Sequence, residues 1–140
     1  MSENIKYRNS KNIRESDILN LYEDAGWTNY TKDKAVLYEA IRNSYFVVSA
    51  FENDKLVGLI RVVSDGLTIV YIQDILVLNS HKRKKIGTEL MKIVLEEFKN
   101  VRQKVLLTDD SATNKKFYES LGFTSVINNS LTAYIIMENQ

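Results

Sequence analysis

The chain has 140 residues, with 19 basic against 18 acidic side chains, no cysteine and one histidine. That length suits one domain, 1–140, around one core, and the near-zero net charge gives no overall field for nucleic acid or membrane. Without cysteine there is no disulfide framework, thiol nucleophile or thiolate metal site, and one histidine excludes a multi-histidine metal centre.

The opening residues M-S-E-N-I-K-Y-R carry no hydrophobic signal region, and no apolar run approaches the roughly 20 residues of a membrane helix, so a soluble cytoplasmic protein is expected. Residues 4–9 read as a short strand. Ile18, Leu21, Tyr22 and Ala25 then recur at helical spacing before Gly26, which predicts a helix over 14–25. Trp27 and Tyr30 fall in a loop, and Thr31 offers an N-cap to a second helix carrying Leu37, Ala40 and Ile41. Two readings of the loop aromatics stand: a plug at the core edge, or the wall of a substrate pocket.

From Tyr45 the pattern turns extended. Y-F-V-V-S-A-F, L-V-G-L-I-R-V-V and T-I-V-Y-I-Q-D-I-L-V predict three antiparallel strands, the last nearly apolar and so expected to be covered on both faces. Asp65-Gly66 between the second and third of them predicts a hairpin turn with positive φ at both central positions. A long amphipathic helix follows, with Leu90, Ile93, Val94 and Phe98 inward. K-V-L-L-T at 104–108 gives another strand, and A-T-N-K-K-F-Y-E-S-L-G-F a short helix closed by Gly122 at C′. Strands at 123–127 and 131–137, joined across N-N-S, complete the order β-α-α-β-β-β-α-β-α-β-β. The class is mixed α/β with a largely antiparallel sheet.

The chemistry concentrates at 74–95, D-I-L-V-L-N-S-H-K-R-K-K-I-G-T-E-L-M-K-I-V-L. A strand ends, a basic turn surrounds one glycine, and a helix begins at once. Such a junction offers unpaired backbone N–H groups and the positive end of a helix dipole to an anion, and Lys82, Arg83, Lys84 and Lys85 add formal charge. Read from the residues alone it is a phosphate site. A nucleic-acid or anion-binding module using loop 81–85 is the competing reading, against which stand the neutral net charge and the absence of aromatics among the lysines.

Two motifs resemble the GNAT superfamily of acetyl-coenzyme A dependent N-acetyltransferases. I-L-V-L-N-S-H-K-R-K-K-I-G-T-E-L resembles the family's strand followed by a Gln/Arg-x-x-Gly-x-Gly/Ala loop, with Val77 closing the strand, Lys82 at the Gln/Arg position, Lys85 at the first glycine and Gly87 at the second. The F-Y-x-x-x-G-F end of the second motif, N-x-x-A-x-x-F-Y-x-x-x-G-F, is matched by Phe117, Tyr118, Gly122 and Phe123, with Asn114 three residues ahead of Phe117. The resemblance implies a central twisted, largely antiparallel sheet with helices on both faces. Lys85 departs from the glycine; lysine is expected to take ordinary helical φ and ψ there while its ammonium meets a phosphate. Asn79 replaces a frequent proline.

The resemblance also implies a division of labour. Acetyl-coenzyme A would lie where the fourth and fifth strands splay, with backbone groups near Leu76 and Val77 facing the thioester and pantetheine, an oxyanion-hole arrangement. Lys82, Arg83, Lys84, Lys85, Ile86, Gly87 and Thr88 would hold the pyrophosphate, and Asn114 and Tyr118 would also meet the cofactor. Tyr118 is the expected general acid toward the departing thiolate. Family members often carry a base at the positions of Tyr71 or Gln73, and here the nearest carboxylate is Asp74. Strand alternation puts Asp74 on the opposite face from Gln73, which a bulge could re-aim; pairing with Arg61 is the structural alternative. Deprotonation through a water held by Tyr71 and Gln73 is a further route. Trp27, Tyr30, Tyr71 and Gln73 would receive the acceptor, a small-molecule or peptide amine. No nucleic-acid or membrane partner is expected, and the terminal strands supply an edge on which a homodimer could form. A GNAT fold without activity is the remaining alternative.

Overall fold

The computed structural model describes residues 4–138, in two compact units, Met1–Leu107 and Thr108–Gln140. The first unit is built on one sheet of order β1-β2-β3-β4-β5, comprising β1 (Ile5–Arg8), β2 (Phe46–Glu52), β3 (Lys55–Ser64), β4 (Ile69–Val77) and β5 (Gln103–Leu106). Neighbours pair antiparallel except β4 and β5, which are parallel. Helices α1 (Glu15–Asp24), α2 (Thr28–Thr31) and α3 (Lys34–Arg42) separate β1 from β2, and α4 (Ile86–Glu97) links β4 to β5. The mixed α/β class with a largely antiparallel sheet is therefore the one observed.

Burial follows the side-chain periods. Ile86, Leu90, Met91 and Val94 form the inward stripe of α4, which packs on β2, β3 and β4; Ile93, expected in that stripe, is half-buried at its margin. On α1 the buried residues are Ile18, Leu21 and Tyr22. Both faces are covered along β3, where Leu56 to Val62 are buried without interruption. For β4 the expectation of two covered faces is corrected: Val70, Ile72, Asp74 and Leu76 are buried while the alternate residues are half-buried or exposed. Tyr71, Ile75 and Val77 are half-buried and Ile69 and Gln73 exposed, so one face of β4 is only partly covered.

Three local expectations also change. Asp33, not Thr31, caps the helix after the loop, its carboxylate accepting from the Val36 N–H at 3.3 Å. Thr31 instead ends the single turn α2, which takes Tyr30 out of loop conformation. The 65–66 turn has positive φ at Gly66 alone, because the Asp65 side chain organises a longer loop by accepting from the N–H groups of Leu67, Thr68 and Ile69.

The second unit contains α5 (Ala112–Ser120). The strands expected at 123–127 and 131–137 are absent among the described residues. A 3-10 turn, Val126–Asn129, occupies the N-N-S region, and 131–138 is irregular. Local polar bonds account for this: Ser125 Oγ accepts from the Ile127 N–H at 3.4 Å, and Asn129 Nδ2 donates to Thr124 Oγ1 at 2.9 Å and to the Ser125 carbonyl at 3.3 Å. Such bonds compete with a strand ladder, and Ser130 at φ 59 ends the turn in the left-handed region.

Candidate active site

The basic loop is held by tethers that use none of the side chains of Lys82, Arg83, Lys84 and Lys85. After β4, the Leu78 N–H bonds to the Val57 carbonyl at 2.9 Å, and a 3-10 turn spans Asn79–His81. Asn79 donates its backbone N–H to Asp24 Oδ2 at 2.7 Å and its side-chain amide to the Asp24 carbonyl at 2.9 Å, which stiffens the turn at the position where Asn79 replaces a frequent proline. His81 is 7% exposed, with Nε2 2.8 Å from Glu52 Oε1 and Nδ1 2.8 Å from Ser80 Oγ. The hydrogen bond from His81 holds the Glu52 carboxyl below its ordinary pKa. Neither Asp24 nor Glu52 is signalled by the sequence, and His81 reads there as one more member of the basic run.

Lys82 to Lys85 all project into solvent. Arg83 has φ 68, and Lys85, the N-cap of α4, has φ 63 and ψ 20. The expectation of ordinary helical angles at Lys85 is thus corrected. The residue sits outside the helix, where the chain must turn left-handed to aim its N–H groups into α4, and glycine would adopt that conformation without steric cost. A left-handed residue followed by a helical one gathers successive N–H groups into an anion-binding concavity. Among the described residues, no backbone or side-chain acceptor meets the N–H groups from Arg83 to Thr88, and no side chain caps α4.

On the sheet, β5 pairs with β4 only as far as Ile72 opposite Leu106. From Gln73 to Val77, including Leu76 and Val77, β4 keeps β3 on one side and, among the described residues, pairs with no strand on the other. Antiparallel pairing turns alternate N–H and C=O groups away from the partner, so this stretch presents backbone polar groups to its open side.

A bulge marks the same point. Arg61 faces Asp74 while Val62 faces Ile72, leaving Gln73 as the extra residue. Gln73 and Asp74, consecutive on the strand, consequently reach the same hydroxyl, that of Tyr30, at 3.1 and 2.9 Å. The Arg61 pairing is also present: Arg61 Nε lies 2.6 Å from Asp74 Oδ2, the two residues being 6% and 3% exposed. Tyr22 donates to the same carboxylate oxygen at 2.9 Å, and Arg61 reaches Ser44 Oγ and the Tyr30 hydroxyl, each at 3.3 Å. Burial first and the Asp74 charge second push Tyr22 well above, and Tyr30 above, the usual phenol pKa. Burial opposes the Arg61 charge, but Asp74 outweighs it and the guanidinium pKa rises.

Around this network the rings of Tyr22, Trp27 and Tyr30 form a cluster with centroids 5.3 to 6.0 Å apart. Trp27 and Tyr30 are half-buried, so each contributes to packing and keeps an accessible edge. Tyr71 lies two positions before Gln73 on β4, half-buried, and burial raises its pKa. The structure therefore brings Trp27, Tyr30, Gln73 and Asp74 into one constellation. Tyr22, Arg61 and Ser44 complete it, of which Tyr22 and Ser44 are separated from β4 by too much chain for any local pattern to pair them.

Within the second unit, α5 is closed at both ends. Ser111 Oγ accepts from the Asn114 N–H at 3.1 Å, and Asn114 Nδ2 reaches the Asp109 carbonyl at 3.4 Å. At the other end the Phe123 N–H bonds to the Tyr118 carbonyl and the Gly122 N–H to that of Glu119, a Schellman closure with Gly122 at φ 96. Tyr118 is half-buried against Phe117 and Phe123, centroids 5.0 and 5.9 Å away. Burial raises its pKa, partly opposed by a hydrogen bond with Thr108. Its phenol thus keeps its proton at neutral pH and is available as a donor.

Comparison with known proteins gives a consistent result. The chain matches the acetyltransferase (GNAT) domain over residues 9–137. It is similar to a GNAT family acetyltransferase from Streptococcus pneumoniae TIGR4, at 35% identity and TM-score 0.86, covering 97% of this chain and 99% of that one. A protein from meticillin-resistant Staphylococcus aureus is similar at 26% identity and TM-score 0.78, with 95% and 99% covered. An aminoglycoside acetyltransferase from an uncultured soil metagenomic sample, in complex with sisomicin, shares the fold at 16% identity and TM-score 0.68, with 99% and 97% covered. The search of curated proteins finds no match. The splayed sheet, the left-handed entry to α4 and these likenesses agree, and the chain belongs to the GNAT family of acetyltransferases.

Proposed function

We propose that this acetyltransferase moves an acetyl group from acetyl-coenzyme A to a primary amine of a small molecule or peptide, by direct attack in a ternary complex. The observation that carries the reading is the run of backbone N–H groups from Arg83 to Thr88, unpartnered among the described residues and aimed by the left-handed Lys85 into the start of α4. That device fits a pyrophosphate, and the exposed side chains of Lys82 to Lys85 add charge around it. The open side of β4 at Leu76 and Val77 suits the amides of the pantetheine arm and the thioester oxygen.

Acceptor binding falls to Trp27, Tyr30, Tyr71 and Gln73; the amine's surplus proton leaves through a water held by Tyr71 and Gln73, and Tyr118 protonates the departing thiolate. Asn114 contributes to the cofactor side. Asp74 serves by position, since Arg61, Tyr22 and Tyr30 already occupy its carboxylate. Without cysteine, no acetylated thiol precedes transfer. Small amines as acceptors are supported by analogy of fold: one neighbour is described in complex with sisomicin, and another, at 15% identity, with a bisubstrate analogue joining coenzyme A to acetylneamine.

Calorimetric titration with acetyl-coenzyme A tests the reading, and absence of binding at millimolar ligand overturns it. Replacing Tyr118 by Phe is expected to lower kcat about 100-fold while leaving acetyl-coenzyme A affinity unchanged. An unchanged kcat removes Tyr118 from the acid role.

A further inference from the structure

The hydrogen bonds behind Gln73 have a direction, and the direction decides which of its two amide atoms faces outward. Asp74 is buried and ion-paired with Arg61 at 2.6 Å, so its carboxylate only accepts. Its Oδ1 lies 2.9 Å from the Tyr30 hydroxyl, and that contact uses the single proton Tyr30 possesses. The lone pairs of Tyr30 then face Arg61 Nη2 at 3.3 Å and Gln73 Nε2 at 3.1 Å. Were the Gln73 amide reversed, two oxygen atoms would meet with no proton between them. The chemistry of the cluster, and not a choice of side-chain orientation, therefore puts Nε2 inward.

We infer that Tyr30 is a positioning residue that locks the Gln73 amide with Oε1 outward, making Gln73 a fixed hydrogen-bond acceptor for an N–H of the acceptor amine. Gln73 is suited to this. It is the extra residue of the β4 bulge, it is exposed, and it lies where β4 loses its pairing with β5. The remaining acceptors of the cluster are engaged: Asp74 by Arg61, Tyr22 and Tyr30, and Ser44 Oγ by Arg61. Arg61 and Asp74 also cancel in net charge, so the inner cluster presents no unpaired formal charge to a ligand. What it offers is an oriented carbonyl that favours an amine or ammonium N–H and disfavours a carboxylate or ether oxygen at the same place.

This inference rests on the acetyl-transfer reading for the amine, but its test needs no acetyl-coenzyme A, so the two can fail separately. In 15N-labelled full-length protein, one Gln73 side-chain amide proton is expected to exchange with water about three- to tenfold more slowly than those of the exposed Gln103. Tyr30→Phe should abolish that difference while the backbone amide spectrum stays folded. Titration with n-propylammonium should shift the backbone amides of Tyr71 and Gln73 in the parent protein, with affinity about three- to tenfold weaker in Tyr30→Phe and in Gln73→Leu. Equal exchange at Gln73 and Gln103, no propylammonium response in the parent protein, or unchanged affinity in Gln73→Leu overturns the proposal. Gln73→Leu alters an exposed side chain outside the buried ion pair, so the binding arm survives even if Tyr30→Phe does not fold.

Discussion

Lys85 combines a residue type that avoids the left-handed region with a position that demands it, at φ 63. The conformation costs a non-glycine residue about 1–2 kcal/mol, whereas glycine there would cost roughly 0.5–1 kcal/mol through the entropy of the unfolded chain. Lys85→Gly is therefore expected to change stability by less than about 1 kcal/mol and to leave acetyl-coenzyme A binding within about threefold. Lys85→Val, β-branched at the same φ, should lose about 1–2 kcal/mol. Denaturant unfolding and calorimetry check both, and loss of binding in Lys85→Gly would show that the ammonium, not the backbone, holds the anion. Asp65 gives a second residue-scale expectation. The Thr68 hydroxyl at 2.5 Å, followed by the N–H groups of Thr68, Leu67 and Ile69, holds its carboxyl far below the ordinary range. A carboxylate depressed in the folded state contributes stability above its unfolded pKa, and the contribution is lost as pH falls through the folded value. Asp65→Ala should thus melt lower than the parent at pH 7, with the gap closing below about pH 4. A gap independent of pH would assign the effect to turn shape alone.

At the scale of elements, α4 sets the geometry of the loop that precedes it, and Gly58 sets how closely α4 approaches β3. A Cβ at position 58 would stand 3.1 Å from Ile86 Cγ2, 3.3 Å from Leu90 Cδ1 and 3.3 Å from the Leu76 carbonyl oxygen. Ile86 follows Lys85 directly, so pressure there is passed to the first turn of the helix. Gly58→Ala is expected to cost about 1–3 kcal/mol and to weaken acetyl-coenzyme A binding as well, both measurable on one preparation. Stability and affinity at parent values would mean that α4 has room to shift without moving its N–H groups. The elements most legible from sequence are those whose period runs undisturbed, such as Leu90 and Val94 on α4 with Phe98 at its C-cap, or the closure at Gly122. Where polar side chains bond to nearby backbone, as at Asp33, Asp65, Ser125 and Asn129, alternation and turn dipeptides mislead, because these bonds replace the pattern that periodicity detects. Around the candidate site, the basic strand-to-helix junction with Lys82 to Lys85 is legible in the residues, and its extension to Thr88 comes with the family resemblance. The ties from Tyr22 to Asp74, 52 positions apart, and from Tyr30 to Gln73, 43 apart, could not.

For the whole molecule, the sequence reads as one domain with no linker, and within the chain the contacts form two compact units that meet at Leu107 and Thr108 in sequence. The buried hydrophobic core lies entirely within the first unit, and no described residue after Thr108 is buried. Within the second unit, α5 is closed by the Ser111 cap and the Schellman closure at Gly122, and its rings Phe117 and Tyr118 are half-buried. Amide protection follows buried apolar contact, so the units should open with different free energies. Native-state hydrogen exchange is expected to show β3 amides, between Leu56 and Val62, exchanging only through global unfolding. Those of α5 should exchange through a smaller opening at least about 2 kcal/mol lower in free energy and less dependent on denaturant. Convergence of the two sets at one free energy and one denaturant slope would show that the chain unfolds as a single cooperative body, and that α5 draws its stability from more than its own caps.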